Sequence, residues 1–305
     1  MNEPALSTGQ VDTSTTSTVE RRALPNTVVF GFVKSLASEL SKGPVELPSV
    51  PEVVIKLQRT LADENVSNET VVVVVGAEPM LAGKLMNMAN SAALNTSGRR
   101  IADLRTAVAR VGFNIVRSAA LTFAVEQLRK IAEYQHLREP LDSLWRSSVQ
   151  IAALSHVLAR RFTSLNGDAA LLAGLMHHVG RIYILTRASQ NSALIADRLT
   201  YNSMVRDWHA NVAKAVLENW RVADEIVEAV TGYEDLDREA RGPVTLTDVL
   251  SLAVLLDQKS KQAAPEPDEK FLKGLKRLQL QPGDCTSVLE ESAEEIAALK
   301  AALGG

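Results

Sequence analysis

The sequence predicts an all-α protein, a multi-helix bundle, on three observations. Aromatic residues make up only 4% of the chain against 46% hydrophobic residues overall. Its core must therefore be filled by Leu, Val, Ile and Ala, a palette that suits packed helices better than an aromatic-rich sandwich. Apolar residues recur three and four apart through segment after segment, and helix start and stop signals punctuate those segments.

Residues 1–25 are rich in Ser, Thr, Gly and Glu and include the tract Thr13-Ser14-Thr15-Thr16-Ser17-Thr18. Such a stretch cannot bury enough apolar surface to offset the entropy of ordering it, so a disordered tail is expected. Helical periodicity begins near Val28 and runs through Phe32, Leu36 and Leu40 until Gly43-Pro44 stops it. Ser49-Val-Pro-Glu52 has capping-box spacing with Pro51 in the first turn, followed by an apolar face of Val53, Val54, Leu57 and Leu61. Asp63-Glu64-Asn65 ends that helix.

Residues 71–75 are five consecutive valines, for which local propensity favours a strand. Asn68-Glu69 as a start, Gly76 as a stop and helical neighbours on both sides favour a helix instead. Glu78-Pro79 opens the next helix, with Leu81, Leu85, Met86 and Met88 on or near one face. Further helices are expected at about 103–111, 114–131, 140–163, 168–178, 179–188, 190–200, 205–219, 222–230 and 245–260. Gly112 and Gly167 serve as breaks, with Asn114 and Asp168 as N-caps. Ala263-Ala-Pro-Glu-Pro-Asp-Glu269 reads as a linker, and Ser287-Val-Leu-Glu290 repeats the capping-box spacing before a last helix with Leu289, Ile296 and Leu299. No fixed-period repeat is present.

Bulk properties narrow the function classes. The net charge of −3 and pI near 6 lack the basic surplus of a general nucleic-acid binder. Arg99, Arg100, Arg105, Arg110 and Arg117 fall within nineteen residues, and the first three are candidate phosphate or partner contacts. The single cysteine, Cys285, forms no internal disulfide or cysteine-based metal site. The sequence reading finds no apolar run near the ~20 residues of a membrane span and no secretory signal, so a soluble cytoplasmic protein with no membrane partner is expected.

Two stretches carry a family resemblance. The first comprises Leu47-Pro-Ser-Val-Pro51, then Glu78-Pro-Met-Leu-Ala-Gly-Lys-Leu-Met-Asn-Met-Ala-Asn-Ser-Ala92, then Ile101-Ala-Asp-Leu-Arg-Thr-Ala-Val-Ala-Arg-Val-Gly112. The second comprises Leu144-Trp-Arg-Ser-Ser-Val-Gln-Ile-Ala152, Ala173-Gly-Leu-Met-His-His-Val-Gly-Arg181, and His209-Ala-Asn-Val-Ala followed by Trp220. Together they resemble the HDOD domain, a degenerate relative of the metal-dependent HD phosphohydrolases in bacterial signal transduction. Glu78 and Val111 stand where that family commonly has Asp and Leu. The resemblance spans roughly residues 47–258 and implies two packed helical lobes on an HD-phosphohydrolase-like scaffold. The expected organisation is a helical domain over 26–262, with lobes at about 26–131 and 138–262, then a linker and C-terminal helical segment over 263–305.

The related hydrolases hold a divalent metal with a helical His, a His-Asp pair and a distant Asp, because imidazoles and carboxylates grip the ion while leaving a position for water. By that resemblance His177 keeps one ligand, His178 stands for the Asp, Ser147 for the helical His and Val254 for the last Asp. A valine ligates nothing and a serine hydroxyl is a poor substitute for imidazole. His177 and His209 are thus vestigial ligands, and no metal or other cofactor is expected. A rescued site of His177, His178 and His209 meets the objection that adjacent helical residues point about 100° apart. Asp168 and Asp257 are conceivable further ligands. In the alternative, structural reading, His177 is partly buried at the helix junction and His178 is exposed.

His156, in an apolar helical stretch, reads as a hydrogen-bonded packing residue, and His136 lies in no motif. Neither a Gly-x-Ser-x-Gly elbow nor a Walker loop is present. Asn90 reads as a structural residue whose amide fixes the turn after its helix. The leading reading is a non-catalytic regulatory module acting through protein–protein interaction with other signalling proteins. The alternatives are a residual metal-dependent phosphohydrolase of nucleotides or cyclic dinucleotides, and a nucleotide or nucleic-acid binding regulator without catalysis. Oligomeric state and the role of residues 263–305 stay open at this level.

Overall fold

The computed structural model describes residues 26–42, 45, 47–238, 242–261 and 268–304. The expected tail over 1–25, the stop at Gly43-Pro44 and most of the linker lie outside them. Helices account for about three quarters of the described residues, and no strand occurs among them.

The helices are α1 Asn26–Lys42, α2 Glu52–Leu61, α3 Asn68–Gly76, α4 Pro79–Ala89 and α5 Leu104–Leu128, followed by a 3₁₀ segment at Ala132–Leu137. Then come α6 Arg138–Phe162, α7 Gly167–Met176, α8 Val179–Ala188, α9 Ser192–Ala196 and α10 Arg198–Asn219. The chain continues with α11 Asp224–Gly232, α12 Leu246–Ser260, α13 Glu269–Arg277, α14 Pro282–Glu291 and α15 Ala293–Leu303.

The valine run is helical. Ser67 caps α3 by accepting from the Thr70 amide at 3.1 Å, and Val71, Val74 and Val75 are buried against α2, α4 and α5. Tertiary burial outweighs the β propensity of five valines. Val73, on the opposite side of the same helix, is exposed.

Several local expectations need correction. Ser49 has a φ of 57° and caps nothing; Pro51 is the N-cap of α2, without a side-chain bond. The α7 cap is Asn166, whose side chain accepts from the amides of Asp168 and Ala169, so the start signal lies two residues earlier than Asp168. Asn114 makes no capping bond with its side chain; Gly112 (φ 73°) alone breaks α5 there. Ser287 lies inside α14, where its hydroxyl donates to Glu291, rather than opening the last helix. The separate helices expected at 190–200 and 205–219 are the short α9 and a continuous α10 capped by Asp197.

α2, α3 and α4 pack on α5, which in turn meets α7. The second group is built around α6 and α7, with α12 and α11 beside them and α8 against α10. α1, first in the chain, packs against α10 of this second group, and Glu39 accepts hydrogen bonds from Tyr183 and Arg187. The last helix, α15, bridges α6 and α4 with Leu299 and Leu303 fully buried. Two helical stretches, Leu104–Leu128 and Gly167–Ala188, are long and apolar enough to cross a membrane, contrary to the sequence reading. Their most apolar windows are 67% and 89% buried inside the fold, the situation of core helices.

Candidate functional site

The site forms where α7 gives way to α8. Every residue of α7 from Ala169 to Met176 is buried, apolar on all sides, so the helix is enclosed by its neighbours. Two glycines permit that closeness. A β-carbon on Gly174 would lie 2.5 Å from the Ala152 Cα on α6, and one on Gly180 would collide with the backbone of His209 on α10.

His177 caps the end of α7 and His178 precedes the first residue of α8. His177 Nδ1–H donates to the Gly174 carbonyl at 2.6 Å, and His178 Nδ1–H donates to the Leu144 carbonyl at 3.3 Å. A carbonyl only accepts, so both neutral rings carry the proton on Nδ1 and keep the Nε2 lone pair. The rings stack with centroids 3.7 Å apart, and Tyr233 meets His177 edge-on at 5.5 Å. The expected 100° divergence fails because the pair sits at a helix junction rather than within one helix. His178 is also half-buried, not exposed. Burial holds the His177 pKa down to about 4. It likewise holds His178 well below the usual histidine value, aided by His177.

Ser147 from α6, Val254 from α12 and both histidines line one cavity of about 390 Å³. The four positions singled out by resemblance are therefore together in space. Asp257 also lines the cavity, with its carboxylate held by Lys261 at 2.6 Å. Asp168 is elsewhere, 3.7 Å from His156. His156 is a buried packing residue whose Nδ1 bonds the Gly167 carbonyl at 3.0 Å. His136 is exposed.

His209 is buried behind the cavity wall, and its Nε2–H donates to Glu234 at 3.1 Å. Glu234 also accepts from Arg181 at 2.8 Å and from the Tyr233 hydroxyl at 2.8 Å. The His209 bond, ahead of a smaller opposing effect of burial, holds this carboxyl below the usual carboxylate range. Burial, then the neighbouring Glu234, pushes the Tyr233 hydroxyl up. Glu234 is the residue that sequence reasoning missed. It follows the end of α11 in no motif, and only its placement under His209 marks it.

A divalent metal does not fit this donor set. Ser147 and Val254 supply no strong ligand, Asp257 is neutralised by Lys261, and Glu234 is engaged by three donors. Among the described residues no three His, Cys, Asp or Glu side chains come together in a metal-binding arrangement.

The arginine group does not converge on the cavity. Arg105 pairs with Glu69 at 2.8 Å, Arg110 bonds the Ser97 hydroxyl, and Arg117 donates to the Leu61 carbonyl at 2.7 Å. Arg99 and Arg100 are exposed, and none of the five lines the cavity. Asn90 has the structural role expected of it, donating to the carbonyls of Met86 and Ile101 and accepting from the Ile101 amide.

The HDOD domain family model matches residues 47–236. Among solved structures, a protein of Shewanella amazonensis SB2B provisionally named a metal-dependent phosphohydrolase aligns at 25% identity and a TM-score of 0.71, over 91% of this chain and 98% of its own. An HDOD domain protein of Geobacter sulfurreducens aligns at 20% identity and a TM-score of 0.59, over 92% and 98%. A protein of Marinobacter aquaeolei VT8, provisionally named for signal transduction, aligns at 19% identity and a TM-score of 0.56, over 91% and 66%. The curated proteins contain no match.

Proposed function

We propose, starting from the premise that this chain belongs to the HDOD domain family, that it is a non-catalytic regulatory module of signal transduction. It acts in the cytoplasm through contacts with other signalling proteins. One observation carries this reading. The cavity that gathers the former ligand positions offers Ser147 and Val254 where strong donors are needed, with Glu234 already bound by His209, Arg181 and Tyr233. Chemistry through a metal-activated water requires ligands that hold the ion and leave one position open. What survives here is the scaffold around the site, including the glycines that let α7 and α8 close on their neighbours.

A second reading, residual metal-dependent phosphohydrolysis of nucleotides or cyclic dinucleotides, draws on the Nε2 lone pairs that His177 and His178 retain beside the cavity. The name of the Shewanella protein favours the same reading. Elemental analysis decides between them. The purified chain is incubated with manganese, iron, zinc or magnesium and then dialysed extensively. The regulatory reading expects metal far below one ion per chain and no turnover of phosphodiesters. A stoichiometric ion that is lost in His177→Ala, together with turnover, overturns it.

A further inference from the structure

The cavity beside the paired histidines adjoins a larger hollow of about 700 Å³, and Ser147, His178, Asp257 and Lys261 line both. The second hollow lies between α6, α12 and α15. Its wall carries Arg146 and Gln150 from α6 and Lys300 from α15. The last helix therefore completes a concave surface that the rest of the fold only begins.

The charges on this wall do not balance. Asp257 is its one carboxylate, and it is already paired with Lys261 at 2.6 Å. Arg146 and Lys300 have no carboxylate within ion-pair distance among the described residues. Lys300 is nevertheless half-buried. A concave wall with a surplus of positive charge concentrates its potential on whatever anion enters. The histidine end is mixed: Arg181, Lys270 and Glu234 line it, and the two rings add acceptors. His177 and His178 have committed their N–H groups to backbone carbonyls, so their Nε2 atoms accept hydrogen bonds only.

We propose that the adjoining hollows bind a phosphate-bearing metabolite of the nucleotide or sugar-phosphate class. Its phosphate meets Arg146 and Lys300, and its hydroxyl or amino donors meet Nε2 of His177 and His178. The two hollows together have the size of sites that enclose small organic ligands, and orthophosphate alone would leave the histidine acceptors unused. The inference goes beyond the non-catalytic reading by naming the chemistry of an input signal, and it does not depend on the absence of hydrolysis.

The test is isothermal titration calorimetry on the full chain with AMP, GMP, a hexose phosphate, orthophosphate and adenosine. It compares the wild type with Arg146→Gln, Lys300→Gln and the remote control Arg59→Gln, an exposed residue of α2. Saturable binding of an organic phosphate is expected, weakened by salt and reduced roughly tenfold or more by each cavity variant. The control should leave it unchanged. Binding confined to nucleotides or to the hexose phosphate identifies which source supplies the ligand. The proposal is overturned if none of the organic phosphates binds, or if adenosine or orthophosphate binds as tightly. It is equally overturned if both cavity variants bind like the wild type. Melting curves establish that the variants are folded, and Arg146→Gln alone suffices should Lys300→Gln loosen α15. Hydrolysis of a bound probe would sink the non-catalytic reading and leave the binding site standing, whereas absence of binding sinks only the site.

Discussion

The backbone of Gly180 on α8 packs so closely on His209 of α10 that a β-carbon at Gly180 would collide with the His209 carbonyl oxygen and come within 2.9 Å of the Ala213 nitrogen. Both collisions are with backbone, so no side chain can swing away to relieve them. The same His209 orients Glu234 at 3.1 Å, so helix packing and the electrostatics of the site meet at one residue.

Gly180→Ala is therefore expected to destabilise the protein by about 1–3 kcal/mol or more, although alanine is the better helix former. Gly83 provides the opposite case: it is exposed in α4, and nothing lies within 4 Å of where a β-carbon would sit. Gly83→Ala should leave stability unchanged or raise it by up to about 1 kcal/mol. Denaturant unfolding of both variants checks the pair, and equal effects would refute the close-approach account.

Stability should fall as the solution is acidified before the carboxylates titrate. Burial holds the His177 pKa down to about 4 in the folded chain, whereas the unfolded chain takes up that proton near pH ~6.5. The unfolded state thus binds more protons within this window. The full stability is present above about pH 6.5 and is lost progressively towards pH 4, on the order of 1–3 kcal/mol in total. His178 shifts in the same direction. Melting temperatures measured between about pH 7 and pH 5 should decline less steeply in His177→Gln than in the wild type. Parallel slopes would show that His177 is not held neutral by the fold.

Asn90 ties the end of α4 to the segment entering α5 through two hydrogen bonds with Ile101, of 2.9 and 2.8 Å, and bonds the Met86 carbonyl within α4 at 3.0 Å. Asn90→Ala removes them and strands the amide and carbonyl of Ile101, for an expected cost of about 2–3 kcal/mol. Asn90→Asp keeps the acceptor for the Ile101 amide but loses both donors, so it should also destabilise. A change of less than about 0.5 kcal/mol in Asn90→Ala would remove Asn90 from the structural role assigned to it.

The last helix should behave as part of the core. Leu299 is fully buried and α15 contacts both α6 and α4, so Leu299→Ala is expected to cost about 2–5 kcal/mol of global stability. Hydrogen exchange should then rise in α6 and α4 as well as in α15. Exchange confined to residues 293–303 would instead make α15 an appendage.

Much of this molecule is legible without coordinates because helical periodicity is local. The apolar faces of α2 and α4, the helical valine run and the break at Gly112 all follow from residues within one or two turns of each other. Cap positions are less legible. Ser49 and Ser287 have the right spacing for a capping box, yet a positive φ at the first and a continuing helix at the second prevent it. Spacing states what a cap needs and not whether the chain turns there.

Residue identities and their order carry the all-helical class, the family motifs and the absence of a strong metal donor at Ser147 and Val254, since a side chain's donor capacity travels with its identity. Packing in three dimensions supplies the rest. It stacks His177 on His178, places Glu234 under His209, keeps Asp168 beside His156, and brings Lys300 from the last helix to the hollow that Arg146 lines. Phase and distance account for this division. Periodicity fixes which face of one helix is buried, while the meeting of groups far apart in the chain depends on how those faces pack, and no local pattern encodes that.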